Sequence, residues 1–258
     1  MTHLEIRGHR LEYAWLGPQR GGMLSLVLLH EGLGSVAMWG DFPARLNAAT
    51  GLPLFAYSRL GYGGSDSLPD GFDVDYMHCE AFEVLPAVLE AQSIERAILV
   101  GHSDGASIAV LYAGGISDHC AAGLVLEAPH VFVEDISVRG IEGARGAYQK
   151  GRLRAALERY HGANTDGVFW AWNNIWLDPA FRSWNIEPYL PPINVPVQVI
   201  QGRNDSYGTL AQIDKVEACC SGPVEKFVLD DCGHSPHRDQ GDAVVDAVAR
   251  FVRDSVQA

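Results

Sequence analysis

The run Ala97-Ile98-Leu99-Val100 leads directly into Gly101-His102-Ser103-Asp104-Gly105, and a small-residue run from Ala106 to Ala113 follows. Few folds accommodate that order. The apolar run suits a strand covered on both faces, and the small residues suit a closely packed helix, with a sharp turn between them. A serine at the apex of such a turn takes a strained backbone conformation, and side chains two residues to either side would collide. Glycine at 101 and 105 removes the collision. The helix beyond points its N-terminal N–H groups, the positive end of its dipole, at whatever the hydroxyl attacks. A bare Gly-x-Ser-x-Gly pentapeptide arises often by chance. Its setting between a strand and a helix is what carries the inference.

The same alternation runs through most of the chain. Residues 4 to 16 read as an opening hairpin, and Leu24–Leu29 as a central strand ending in the glycine-bearing loop His30-Glu31-Gly32-Leu33-Gly34-Ser35. A helix is expected over Phe42–Ala49, closed by Thr50-Gly51, and a strand over Leu54–Ser58, followed by Arg59-Leu60-Gly61-Tyr62-Gly63-Gly64-Ser65. From Tyr76 to Ala91, Met77, Ala81, Val84, Leu85, Val88 and Leu89 recur at helical spacing, and Pro86 demands a kink. Further strands read at Ala122–Glu127, Val197–Ile200 and Glu225–Leu229, with helices near Thr209–Cys219 and Asp242–Val252. This is the pattern of an α/β fold: a mostly parallel central sheet with helices on both faces. Such sheets bind ligands at the carboxyl ends of their strands.

Residues 130 to 192 break the rhythm. They contain no strand of buried character and hold four of the six tryptophans: Trp170, Trp172, Trp176 and Trp184. Arg145–Tyr160 reads as a charged helix. The expected organisation is a single domain, with residues 1–129 and 193–258 forming the core and 130–192 inserted as a helical lid. The lid's aromatic underside would contact substrate through Trp170, Trp172 and Trp176, or cement the insertion to the core.

Composition narrows the function classes. The 258 residues carry 47% hydrophobic and 20% charged residues, enough apolar material for a substantial core. A formal charge of −13 argues against nucleic acid and anionic membrane surfaces as partners and leaves a small-molecule substrate. The five cysteines follow no framework spacing, which suits reduced thiols in the cytoplasm. No leader-like N-terminus is read, and no apolar run approaches the ~20 residues that span a bilayer. Neither a metal nor another cofactor is called for, and homo-oligomerisation is left open.

A serine hydroxyl attacks poorly at neutral pH unless a base takes its proton; that base is usually a histidine oriented by a carboxylate. The chain supplies Ser103, then Asp205 in the loop after a later strand, then His234 after the last strand. Each lies where the carboxyl edge of the sheet can bring it to the others. Glu127, closing the strand after the serine helix, is the alternative acid, and His237 the alternative base. His102 and His130 read as substrate-contacting or packing residues.

These motifs together resemble the α/β-hydrolase family over essentially the whole chain. Gly101–Gly105 matches the family's nucleophile elbow, and Gly202-Arg203-Asn204-Asp205 and Cys232-Gly233-His234 match its acid and histidine segments. His30–Gly34 resembles the His-Gly-Gly-x-Gly oxyanion loop, with Glu31 departing from it. Ser58–Ser65 resembles an Asp-x-x-Gly-x-Gly-x-Ser loop, with Ser58 where aspartate is usual. The resemblance implies oxyanion donors at the Asp104 backbone N–H and at Gly32 or Leu33. Removing one such donor can cost about 3 kcal/mol of transition-state stabilisation. It further implies a carboxylic ester hydrolase-like enzyme acting on an ester, lactone or thioester. C–C bond hydrolysis of ring-cleavage products is the alternative, and a non-catalytic ligand-binding relative the more remote one. A carboxylate beside a developing oxyanion would oppose it, so the Glu31 side chain is expected to turn away.

Overall fold

The computed structural model describes residues 2–18, 22–69 and 71–256. Eight strands form one sheet: β1 (Thr2–Ile6), β2 (His9–Leu16), β3 (Leu24–Leu29), β4 (Leu54–Tyr57), β5 (Arg96–His102), β6 (Ala121–Glu127), β7 (Val197–Gly202) and β8 (Val224–Leu229). Their order is β1-β2-β4-β3-β5-β6-β7-β8. β1 and β2 form the expected opening hairpin, and β2 is antiparallel to β4. Every other pairing is parallel.

Helices cover both faces. In chain order they are α1 (Phe42–Thr50), α2 (Tyr76–Cys79), α3 (Leu85–Ala91), α4 (Asp104–Gly115), α5 (Asp135–Gln149), α6 (Arg152–His161), α7 (Thr165–Trp176), α8 (Ala211–Cys219), α9 (Pro236–Asp239) and α10 (Gly241–Phe251). The strands distribute their side chains by the period of two. Val27, Leu29, Leu99, Leu124 and Leu126 enter one apolar cluster with Ile108, Leu111 and Val88 from the helices. Leu26, Leu28, Ile98, Val100 and Val125 enter the other with Phe42, Leu46, Val244 and Val248. Because both faces are covered, these strands read as unbroken apolar runs.

Two local expectations are corrected. The segment from Tyr76 to Ala91 passes Pro86 by widening into a π turn over Glu80–Val84, so that Pro86 falls at the start of α3. There its missing N–H and its ring are tolerated. The charged helix expected over Arg145–Tyr160 is two helices, α5 and α6, divided at Gly151, whose φ of +84° lies in the left-handed region. Between β6 and β7 the described chain forms helices joined by turns and irregular stretches, with one isolated bridge, Phe132 to Asn185, and no strand. No helix among the described residues is long and apolar enough to cross a membrane.

Candidate active site

Ser103 joins β5 to α4 with φ 53° and ψ −117°, a left-handed conformation that costs a non-glycine residue of order 1–3 kcal/mol. Its N–H donates to the Glu127 carbonyl at 2.9 Å, which holds the turn against β6. The flanking glycines are sterically required. A Cβ on Gly101 would lie 2.4 Å from the Gly105 carbonyl oxygen, and one on Gly105 would lie 1.9 Å from that of Leu29. The expected collision is therefore partly within the turn and partly with the end of β3.

The structure brings Asp205 and His234 to this serine. His234 Nε2 lies 3.0 Å from Ser103 Oγ, and His234 Nδ1 lies 2.8 Å from Asp205 Oδ2. The loops after β7 and β8 can approach so closely because Gly202 has no side chain; a Cβ there would lie 2.2 Å from the Gly233 carbonyl oxygen. Asp205 is held from three further sides. Its Oδ2 accepts from Gln201 Nε2 at 2.6 Å, and its Oδ1 accepts from the Tyr207 and Gly208 N–H groups at 2.7 and 3.3 Å. Burial works to raise the Asp205 pKa, but the His234 hydrogen bond and charge outweigh it, and the carboxyl sits below the usual aspartate range.

Glu127 is elsewhere. Its Oε2 accepts from the His237 N–H at 3.1 Å and pairs with His237 Nδ1 at 2.9 Å, both side chains being almost wholly buried. The side chains of the alternative acid and the alternative base are thus bonded to each other and not to the serine hydroxyl. That pair anchors α9, the short helix directly after His234. His102 sits between the two pairs, its ring 5.2 Å from that of His234 and 5.0 Å from that of His237. Its Nε2 donates to the His234 carbonyl at 2.6 Å.

The Glu31 carboxylate, expected to turn away from the oxyanion, is engaged by two basic side chains. Glu31 lines the same cavity as Ser103. His102 Nδ1 stands 3.6 Å from one carboxylate oxygen, and Arg238 Nη2 stands 3.5 Å from the other; both are ion-pair contacts too long for hydrogen bonds. Burial alone would raise the Glu31 pKa, but the close approach of His102 and the charge of Arg238 hold it well below the carboxylate range. The same Glu31 raises the pKa of His102 against the opposing effect of burial. Two basic partners, Arg238 and the imidazole of His102, therefore face the carboxylate that this loop carries.

Gly32, Leu33 and Asp104 all border the cavity. The loop is held through its carbonyls. Arg59 donates from Nη1 to His30 O at 2.6 Å and from Nη2 to Glu31 O at 3.0 Å, and Tyr62 Oη donates to Gly32 O at 2.9 Å. In a planar trans peptide the N–H points opposite to the C=O. Anchoring the Gly32 carbonyl on Tyr62 therefore turns the Leu33 N–H the other way. Where the resembling loop has aspartate, Ser58 Oγ donates to Glu12 Oε2 at 2.8 Å, and that carboxylate oxygen also accepts from the Gly64 N–H at 2.9 Å. A glutamate on β2 supplies the carboxylate that position 58 lacks.

The cavity over Ser103 has a volume of about 220 Å³. Its far wall is apolar and comes from the helices between β6 and β7: Ile141, Leu153, Leu157, Trp172 and Trp176, with Met38, Tyr207 and His130 beside them. Trp170 is corrected: it lines a separate surface groove with Leu68 and Phe72, and Trp184 packs on Phe181 and Trp176 outside the cavity. On one helix, residues four apart share a face and residues two apart do not, so Trp172 and Trp176 look inward together and Trp170 cannot. Leu153, Leu157, Tyr207, Arg238 and Glu12 went unread, since nothing local in the sequence distinguishes them from ordinary core or surface residues. A second cavity of about 240 Å³, bordered by Arg59, Tyr62, Phe72, Tyr76 and Glu80, holds none of Ser103, Asp205 and His234.

His130, 3% exposed, has its pKa lowered to about 3, first by burial and then by the neighbouring charge of His234. A histidine held neutral in the folded state takes up a proton more readily when unfolded, so stability is full above about pH 6.5 and falls as the pH descends toward 3. Burial of His30 and His161 acts in the same direction. His130→Gln is therefore expected to shrink the fall in urea midpoint between pH 7 and pH 5. An unchanged fall would show that His130 is not held neutral.

With the fold and the serine–histidine–aspartate geometry in place, comparison with known proteins assigns the class. The model of the alpha/beta hydrolase family matches residues 26–247, and the chain belongs to that family. It is an enzyme of the hydrolase type. Among curated proteins it is similar to the 2-succinyl-6-hydroxy-2,4-cyclohexadiene-1-carboxylate synthase of Salmonella arizonae, 27% identical over 92% of this chain and 96% of that one. The protein of the same name from Salmonella typhimurium is 28% identical with the same coverage. Among solved structures, an enol-lactonase from Burkholderia xenovorans LB400 superposes with a TM-score of 0.77 at 20% identity, covering 98% of this chain and 100% of that one. The esterase RhEst1 from Rhodococcus sp. ECU1013 gives 0.76 at 22% identity, covering 98% of each chain. These structures speak to the fold alone.

Proposed function

We propose that this enzyme is a serine hydrolase cleaving an ester, lactone or thioester bond of a small apolar or aromatic substrate through an acyl-enzyme. The observation that carries the reading is the continuous hydrogen-bonded line Asp205–His234–Ser103, opening into a cavity with an apolar far wall. In this reading His234 Nε2 takes the Ser103 proton as Oγ bonds to the substrate carbonyl carbon. The negative oxygen that forms is held by the Asp104 N–H and by the Leu33 or Gly32 N–H. Asp205 keeps the Nδ1–H tautomer in place and stabilises the imidazolium. The tetrahedral intermediate collapses, the alcohol or thiol leaves with the proton from His234, and the acyl group stays on Ser103. A water then gives a proton to His234 and its oxygen to the acyl carbon, releasing the acid and restoring the serine. The chain's own groups supply each of these steps. The reading places the enzyme in the cytoplasm, acting on a small molecule without a nucleic-acid or membrane partner.

The cavity supports the substrate class. At about 220 Å³ it is smaller than the ~300–1,000 Å³ that drug-sized ligands occupy. Arg238 is the only lysine or arginine among the described lining residues, and it already faces Glu31. The curated relatives are named for a carboxylate bearing a succinyl group, an anionic molecule. A wall whose arginine is offset by a glutamate favours a neutral substrate instead. A second reading, C–C bond cleavage or other non-ester chemistry, draws on those relatives' name, which is that of a synthase.

A panel of aryl esters, lactones, acyl thioesters and ring-cleavage products tests the choice. Burst release of p-nitrophenol from a short-chain or benzoate ester, with its rate above that for ring-cleavage products, is the expected result. Turnover of ring-cleavage products alone would favour the second reading, and binding without turnover would mark a non-catalytic relative. Trp172→Ala should shift the preference toward bulkier acyl groups by about 10-fold or more, as pocket volume usually does. An unchanged preference would place the Trp172 ring away from the substrate.

A further inference from the structure

His161, the last residue of α6, is nine-tenths buried and makes two hydrogen bonds that cross from the inserted segment to the core. Its Nε2 lies 2.9 Å from the Leu33 carbonyl oxygen, and its Nδ1 lies 3.0 Å from the Gly63 amide nitrogen. A carbonyl can only accept and an amide N–H can only donate, so the ring is neutral with its proton on Nε2. Burial, the largest influence on this ring, favours the same neutral form. The other anchors of the oxyanion loop, Arg59 and Tyr62, belong to the core. His161 alone among the described side chains ties that loop's backbone to the inserted segment by a hydrogen bond. The second half of the oxyanion site has a parallel tie. Trp176 Nε1 of α7 donates to Tyr76 Oη at 3.1 Å, and Tyr76 Oη donates to Asp104 Oδ2 at 2.5 Å.

We propose that His161 is a positioning residue of the oxyanion site: by bonding the Leu33 carbonyl it makes the seating of the inserted segment and the aim of the loop's N–H donors a single event. With Tyr62 on the Gly32 carbonyl and His161 on the Leu33 carbonyl, both peptides flanking Leu33 are fixed, and the Leu33 N–H with them. When α6 lifts, the second anchor leaves, and the loop loses its aim before any catalytic side chain moves. The same movement draws Trp176 from Tyr76 and so releases the tie to Asp104. The hydrolase would then hold its full oxyanion site only while the aromatic wall covers the substrate, which confines acyl transfer to the closed cavity. This inference rests on the serine-hydrolase reading above.

Two conservative variants separate positioning from folding. The amide nitrogen of glutamine reaches the place of Nε2, so His161→Gln keeps a donor to Leu33. The shorter asparagine reaches only the place of Nδ1, so His161→Asn keeps an acceptor for Gly63 and loses the Leu33 bond. With p-nitrophenyl butyrate as substrate, the expected kcat is within about 3-fold of wild type for His161→Gln and about 10- to 100-fold down for His161→Asn. That range is what slight misplacement of one oxyanion donor costs. KM should stay within about 2-fold, the thermal midpoints of the two variants should agree, and affinity for phenylboronic acid should fall in parallel with kcat. The boronate adduct carries the tetrahedral, negatively charged centre that the oxyanion site recognises. Equal kcat in the two variants, or a kcat loss without a loss of boronate affinity, would overturn the positioning role. Fluorophosphonate labelling of wild-type Ser103 is read alongside. A labelled wild type with equivalent variants brings down this inference alone, whereas an unlabelled wild type brings down the serine-hydrolase reading and this inference with it.

Discussion

Ser103→Ala is expected to lower ester turnover by about 10⁴- to 10⁶-fold, the loss typical of removing the nucleophile from a hydrogen-bonded triad. The loss should fall on kcat, because the apolar wall and the oxyanion donors that bind the substrate remain. Folding should survive. Ser103 Oγ makes its hydrogen bond to His234 and to no other described residue, while the turn itself is held by the backbone bond to Glu127. The φ of 53° at this position also predicts an order of stability among variants. Glycine adopts that conformation without strain, so Ser103→Gly should be more stable than Ser103→Ala and equally inactive. A Ser103→Ala enzyme that retains turnover would remove the nucleophile from this site.

The next largest effect is expected at Asp205. In Asp205→Asn, an amide group in place of Oδ2 favours the wrong His234 tautomer, with the lone pair on Nδ1 and the proton on Nε2 facing Ser103. A histidine in that form cannot take the serine proton, and the rate should fall by about 10³- to 10⁴-fold. Glu127→Gln should keep the rate within about 10-fold, because Glu127 acts on His237 and the start of α9, one step removed from His234. Its main effect should be on stability, since it disturbs a wholly buried carboxylate–histidine pair. If Asp205→Asn is active and Glu127→Gln is not, the two carboxylates exchange roles and the triad assigned here is wrong.

Much of this arrangement could be read in the sequence because it is local. Leu24–Leu29 and Arg96–His102 announce themselves as buried strands, and Gly101 and Gly105 announce the turn. The order of Ser103, Asp205 and His234 follows from which loops end at the carboxyl edge of the sheet. What escaped is set by contacts between distant residues. Glu12 completes the loop at Ser58, and His161 and Tyr76 reach the oxyanion site through partners far along the chain. The Glu31 carboxylate is met by His102 and Arg238, and neither neighbour is predictable from the loop. Trp170 could have been placed outside the cavity from helix periodicity alone, since it is two residues from Trp172 and six from Trp176. The division of α5 from α6 at Gly151 was likewise available from a glycine inside a charged helical run.

The most direct test of the account is to trap the covalent intermediate. Wild-type enzyme mixed with a p-nitrophenyl ester is quenched with acid within the burst phase and its intact mass and peptides are measured. The account predicts one acyl group per chain, located on the peptide containing Ser103 and absent from Ser103→Ala. An acyl group on any other residue, or turnover of the ester with no adduct at any quench time, would contradict it.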